Sequence, residues 1–347
     1  MTTPVVLSPA PRDRWRAALV GGHGALPEHT PEWVDALCAT GRYRDASRLY
    51  VLAEGREVVL PMVERRGLVG AGGWLQSYPA GWGMGGLVGS DVDVAVARAV
   101  LRDLRGLDRQ RIGIRPDPLA WPVWAKAAAA EDVIVVPRRA HVVDLHAGVD
   151  AAWSGLSKSA RRGTRVAERA GIRVEVDRSG ELIDDYYRLF LLSLDRWAEN
   201  QHEPRVLAHA RARRRDPLAH LHAMSEALGK SFAVTLAYLE GVPVFGAITL
   251  FGQTAHDTRA AMDRARVGTT RAGDLVQWTT MQLACDLGCT AYHLGESGQS
   301  STLAAAKEKY GARPYDYGEL RVERLPWTRT DTAVRTGVKR LLGFRDV

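Results

Sequence analysis

Two stretches of this 347-residue chain, far apart, read in the same way. Val51 to Val63 is VLAEGREVVLPMV, and Ala237 to Thr249 is AYLEGVPVFGAIT. Each has a β-like run, a Glu-Gly turn and a second β-like run with a Pro or Gly bend. A Glu-Gly pair between apolar runs is a hairpin signal. Helical and strand patterns surround both copies in similar order. A chain this long exceeds one ordinary core, and a repeated helix–strand–hairpin–helix–strand plan points to duplicated α/β domains. The expected boundaries are 1–140 and 141–325, with a basic helix over 326–347 read from TDTAVRTGVKRLLGF.

Finer features follow. Thr30-Pro31-Glu32 reads as an N-cap and first turn. In the second half, long helices are expected over about 149–170 and 180–199, and strands in SFAVTLAYL, VPVFGAITLF, TAHDTRAAM and TAYHL. GDLVQWTTMQLACDLG reads as the helix before the last of these.

Composition is 46% hydrophobic and 25% charged, that of a globular chain. No apolar run approaches the roughly 20 residues of a membrane span. The N-terminus lacks a basic signal-peptide region, so a cytoplasmic location is expected. The cysteines are Cys38, Cys285 and Cys289, with no Cys or His near the last two to complete a metal set. They are expected to be small packed side chains, and no metal site is expected.

The net charge is +7, and the surplus is local. From Lys158 to Arg215 there are 14 Lys or Arg against 9 Asp or Glu, a net of +5. A basic surface of this kind suits an anionic partner such as RNA, a nucleotide, a phosphorylated lipid or coenzyme A; a solvated helix face is the alternative. Few aromatics lie within it, which argues against a single-strand stacking platform.

Familiar catalytic motifs fail. Gly81 to Gly86 fits G-x-G-x-x-G, but Leu87 to Ser90 intervene before any helix, so it is read as a loop of close backbone approach. Trp74 and Trp82 could pack there against a substrate or a neighbouring domain. Gly295-Glu296-Ser297-Gly298 lacks the final glycine of a nucleophile elbow. H-E-x-x-H, the P-loop and C-x-x-C are absent.

His293 to Pro314, HLGESGQSSTLAAAKEKYGARP, carries the remaining chemistry. Its helix sets Leu303, Lys307 and Tyr310 on one face and turns Lys309 away. Lys307 there either snorkels to water or serves as a buried cation for an anion or developing oxyanion. Amide formation from an activated ester needs only that cation, a base and positioning. Glu296, Asp263 and His293 are the candidate bases; His293 alternates with core residues and is read as structural.

The second half resembles the FemABX-like, GNAT-related transferases, a group that includes CelD-like acyltransferases. Four blocks carry the resemblance: WSGLSKSARRGTRVAERAG from Trp153, YYRLFLLSLDR from Tyr186, LEGVPVFGAIT from Leu239, and Gly295 to Pro314. In the last, Lys307, Tyr310 and Gly311 match, while Ala306 replaces the usual phenylalanine. The resemblance implies two tandem GNAT-like α/β domains with mixed, mainly antiparallel sheets flanked by helices. It implies aminoacyl transfer from aminoacyl-tRNA to an amine acceptor, a peptidoglycan precursor or natural-product amine, without a covalent enzyme intermediate. It assigns transition-state stabilisation to Lys307, and phosphate binding to Arg161 and Arg196. The expected catalytic set is Lys307, Glu296 and Asp263; the substrate-binding set is Lys158, Arg161, Arg196, Trp197, Tyr310 and Trp82. No cofactor is expected beyond the donor. The acetyl-CoA fingerprint [QR]-x-x-G-x-[GA] does not precede Gly273, which weighs against acetyl-CoA. An acyl-CoA N-acyltransferase and a non-catalytic nucleotide- or RNA-binding module are the alternatives.

Overall fold

The computed structural model describes residues 4–65, 73–79, 81–200, 202–298, 300–326 and 328. The expected helix over 326–347 lies almost wholly outside the described residues. The described residues form two compact units, one from within 1–140 together with 314–326, the other from within 141–313.

In the first unit, the Glu54-Gly55 hairpin joins strands Arg48–Val51 and Glu57–Leu60, with Val5–Leu7 on the far side of Arg48–Val51. A second set of strands runs Tyr43–Asp45, Val63–Arg65, Trp74–Gln76, Arg111–Ile114 and then the 314–323 stretch. Helix Val94–Arg105 is capped by Asp93, which accepts from the Val96 N–H. Its Val96, Val100 and Leu104 recur every four residues and bury one apolar stripe against Leu60, Ile112, Trp124 and Leu320. Thr30 caps helix Pro31–Ala39, accepting from the Trp33 N–H at 3.3 Å. The glycine-rich loop is packed: Gly83 has φ +100° against the Glu28 side chain, and Gly85 abuts Ser77. A side chain at either would collide, so these glycines serve close packing.

In the second unit the strand order is residues 141–144, Ala291–Glu296, Ala255–Met262, Val242–Phe251, Phe232–Leu239 and Arg173–Asp177. The Glu240-Gly241 turn has φ +53° and +79°, as a tight hairpin turn with two left-handed residues requires. Neighbours in this sheet from Val242–Phe251 to Arg173–Asp177 are antiparallel. Ala255–Met262 and Ala291–Glu296 are parallel and in register only at Ala255↔Tyr292 and His256↔His293. Helix Ala272–Asp286 covers one face through Leu275, Val276, Trp278, Met281 and Ala284. Helix Ile183–Asn200 packs on Val242–Phe251 and Ala255–Met262, burying Tyr186, Leu189, Phe190 and Leu194.

The single helix expected over 149–170 is two, Gly148–Gly155 and Lys158–Arg169. Leu156 is extended and buried, and Ser157 caps the second helix by accepting from the Ala160 N–H at 3.1 Å. The apolar period runs through this break, so the serine cap is what divides the helices.

Candidate active site

Ser300 caps helix Ser301–Glu308, accepting from the Leu303 N–H at 3.2 Å. The helix ends at Glu308, because Gly311 turns left-handed at φ +82° and its N–H bonds back to the Glu308 carbonyl. Leu303 is 43% exposed, whereas Lys307 and Tyr310 are partly buried, so the expected shared face is divided.

Lys307 Nζ donates to the backbone carbonyl of Glu296 at 2.7 Å. Gly295 precedes it at φ +73°. The point a Cβ would occupy at Gly295 is 3.8 Å from Lys307 Nζ, 3.7 Å from the Asp257 carbonyl oxygen and 4.0 Å from His256 Nε2. The ammonium therefore lies just beyond the point where the two parallel strands leave register. Burial lowers the Lys307 pKa to about 8, against the opposing charges of Asp257 and Glu296.

Asp257, whose backbone carbonyl faces this point, has a partly buried carboxylate. It accepts from Thr249 Oγ1 and from the Tyr292 hydroxyl, each at 2.6 Å, and Tyr292 is 2.8 Å from Thr280 Oγ1. Burial raises the Asp257 pKa in spite of side-chain bonds from Thr249, Tyr292 and Gln277, and it raises that of Tyr292 as well. The His256 and His293 rings meet edge to face at 6.0 Å, both buried.

A second carboxylate, that of the buried Asp274, lies in the first turn of helix Ala272–Asp286. Its Oδ1 accepts from the Tyr310 hydroxyl and pairs with Lys309 Nζ, both at 2.7 Å, and its Oδ2 accepts from Arg271 Nε at 2.5 Å. Arg271 is left-handed at φ +62°, an uncommon conformation for a residue with a side chain. Arg271 also lines an open cavity of about 660 Å³ with Lys158, Ser159, Arg162, Gly163, Val166, Gly268 and Thr269. Three cations at the start of helix Lys158–Arg169 and before helix Ala272–Asp286 suit a phosphate-bearing ligand.

The other expected site residues fall in varied places. Lys158 lines the cavity, while Arg161 bonds the Ser154 carbonyl at 3.1 Å. Arg196 bonds the Met262 carbonyl at 3.4 Å and stacks on Trp197 at 5.8 Å; burial and the charge of Arg264 lower its pKa. Trp197 also meets Phe190 edge to face. Asp263 caps the short helix Arg264–Val267, accepting from Ala265 and Arg266 N–H groups. Trp82 belongs to the first unit, where it is buried against Trp33. Cys289 is buried with its thiol 3.3 Å from the Gly252 carbonyl. Among the described residues no group of three or more His, Cys, Asp or Glu is placed to hold a metal, and no helix is long and apolar enough to cross a membrane. Asp257, Asp274, Arg162 and Arg271 went unmarked in the sequence. Asp257 alternates within TAHDTRAAM and Asp274 opens a helix; only their burial gives them weight.

The parallel strands of a mixed sheet part beside the partly buried Lys307. Residues 137–310 match the family described as acetyltransferase (GNAT) domain, and the chain belongs to that family. The fold is of the FemABX/GNAT type. It is similar to FemX, at TM-score 0.68 and 13% identity, over 93% of this chain and 99% of that one. It is also similar to a tandem GNAT protein from the clavulanic acid biosynthesis pathway, at TM-score 0.51 and 15% identity, over 92% and 98%. The C-terminal domain named for a lysylphosphatidylglycerol synthetase of Agrobacterium fabrum aligns at TM-score 0.53 and 14% identity, over 94% and 95%. Nothing among the curated proteins matches the chain.

Proposed function

We infer that this acyltransferase moves an aminoacyl group from aminoacyl-tRNA to an amine acceptor, a peptidoglycan precursor or natural-product amine. The placement of Lys307 carries this reading. Its ammonium is partly desolvated and anchored by one bond to the Glu296 carbonyl, with further N–H donors to offer. The acceptor amine attacks the ester carbonyl, Lys307 stabilises the oxyanion, and the ribose hydroxyl leaves, with no covalent enzyme intermediate. Glu296, whose charge acts on Lys307, is the base; Asp263 is engaged in capping a helix and His293 is fully buried in the sheet. The cationic cavity of Lys158, Arg162 and Arg271 holds donor phosphates. With tRNA as donor, the reaction belongs to the cytoplasm.

The three cations lining the cavity also suit a second reading, an acyl-CoA donor whose diphosphate enters it. A screen of charged-tRNA mixtures against acyl-CoA pools with candidate amines, read by mass spectrometry, decides the donor. Turnover with acyl-CoA and none with charged tRNA would overturn the first reading. A tRNA donor also requires binding that weakens steeply between about 50 and 200 mM salt.

A further inference from the structure

Asp274 stands between the cationic cavity and the lysine-bearing helix. On one side its Oδ2 holds Arg271, whose guanidinium lines the cavity. On the other its Oδ1 holds Tyr310 and Lys309, the residues that follow Lys307 within three positions. Lys309 also lies over the Tyr310 ring at 4.6 Å, and its carbonyl accepts from the Ser157 N–H at 2.8 Å, where the cavity-lining helix begins. The third side is closed by Gly163. A Cβ there would fall on the Asp274 carboxylate and lie 2.8 Å from Arg271 Nη2, so the helix bearing Lys158 and Arg162 reaches this carboxylate only because the residue is glycine.

We propose that Asp274 is a positioning residue that ties occupancy of the cavity by a phosphate-bearing donor to the placement of Lys307. Resting on the acyltransfer reading above, this adds a means by which the catalytic cation registers a bound donor. A phosphate between Lys158, Arg162 and Arg271 competes with Asp274 for the Arg271 guanidinium. The charge that Arg271 releases is then met by Lys309 and the Tyr310 hydroxyl alone. Those bonds tighten, and the end of helix Ser301–Glu308 is held more firmly with Lys307 at the Glu296 carbonyl. Without a donor, Arg271 shares the carboxylate and the helix end is looser. One carboxylate contacts both elements, so the coupling needs no longer chain of residues.

The test needs neither a known donor nor turnover, so its failure is separable from failure of the functional reading. The full chain is treated with acetic anhydride at neutral pH, with and without inorganic pyrophosphate, and acetylation of Lys307 is followed by peptide mass spectrometry. Pyrophosphate binding is measured alongside by calorimetry. In the wild type, pyrophosphate should bind and slow Lys307 acetylation about threefold, which corresponds to about 0.65 kcal/mol of coupling. In Asp274→Asn, pyrophosphate should still bind but protection of Lys307 should vanish. Tyr310→Phe leaves the Asp274–Arg271 pair in place and should lose most of the protection, and it carries the test if the first variant does not fold. Undiminished protection in either folded variant overturns the proposal, as does a wild type in which pyrophosphate does not bind, or binds without slowing acetylation. A CCA-ended trinucleotide and coenzyme A, used in turn, identify the source of the phosphates by which one protects at lower concentration. Protection by neither overturns the link to donor binding.

Discussion

Lys307 donates to the Glu296 backbone carbonyl at 2.7 Å, across the left-handed turn made by Gly295. That bond fixes the ammonium where burial has already brought its pKa to about 8. An oxyanion is stabilised only by the protonated lysine, so kcat/KM should fall as pH rises through about 8. Lys307→Arg stays charged across that range and should move the falling limb to higher pH. Lys307→Met should lower kcat by roughly 100- to 1,000-fold while leaving acceptor binding intact. A rate profile without a limb near 8 in the wild type would remove Lys307 from the chemistry.

Asp257 opposes the effect of burial on Lys307, since its charge raises the lysine pKa. Asp257→Asn removes that charge and should shift the falling limb below 8. It also leaves the Tyr292 and Thr249 hydroxyls facing an amide in place of a carboxylate. A cost of about 1–3 kcal/mol in stability is expected for disturbing a partly buried hydrogen-bonded group of this kind. Thermal melts and a pH–rate profile of the same variant separate the two effects. An unmoved limb would mean that Asp257 serves packing alone.

Much of this fold is legible in the sequence because it rests on local rules. The Glu240-Gly241 turn, the Thr30 cap and the alternating strands need only propensity and period. The break at Leu156 and Ser157 is different. Leu156 continues the apolar period, and only the serine side chain bonding Ala160 shows that a new helix starts there. The candidate site was read in part. Lys307 stands out as a cation among apolar residues, but its neighbour Asp257 comes from a strand fifty positions earlier, and Asp274 from the helix between them. Nothing local marks either aspartate, since what matters is desolvation by elements distant in sequence. Lys309, read as facing away, instead binds Asp274 because the helix ends at Glu308 and the next turn swings it inward.

Gly246 lies in the hairpin block that resembles the transferase family, and its reason is packing. A Cβ there would sit 2.6 Å from Leu236 Cδ2 and 3.0 Å from Tyr186 Cδ2. Tyr186 is fully buried at the start of another of the resemblance blocks, so these two blocks are complementary surfaces. Gly246→Ala should destabilise the second unit by about 1–3 kcal/mol through overpacking. The check is a lowered melting temperature with an unshifted pH–rate limb. Unchanged melting would show that Tyr186 and Leu236 can yield.

Glu319 offers a test in the first unit. Burial alone would raise its pKa, but the side-chain bond from Arg321 and the charges of Arg115, Arg321 and Arg138 outweigh burial and bring it to about 2. Arg321 Nε is 2.7 Å from its Oε1, Arg115 Nη2 is 3.4 Å from its Oε2, and Arg138 pairs with the same oxygen. The unfolded chain binds this proton near 4.5, so ionised Glu319 adds stability in full above that pH. The contribution is lost as pH falls from about 4.5 through about 2, and by linkage it amounts to about 3 kcal/mol. Glu319→Gln should therefore melt well below the wild type at neutral pH, and the gap should narrow steadily in acid. A gap constant with pH would show that the arginines are held by shape and not by this charge.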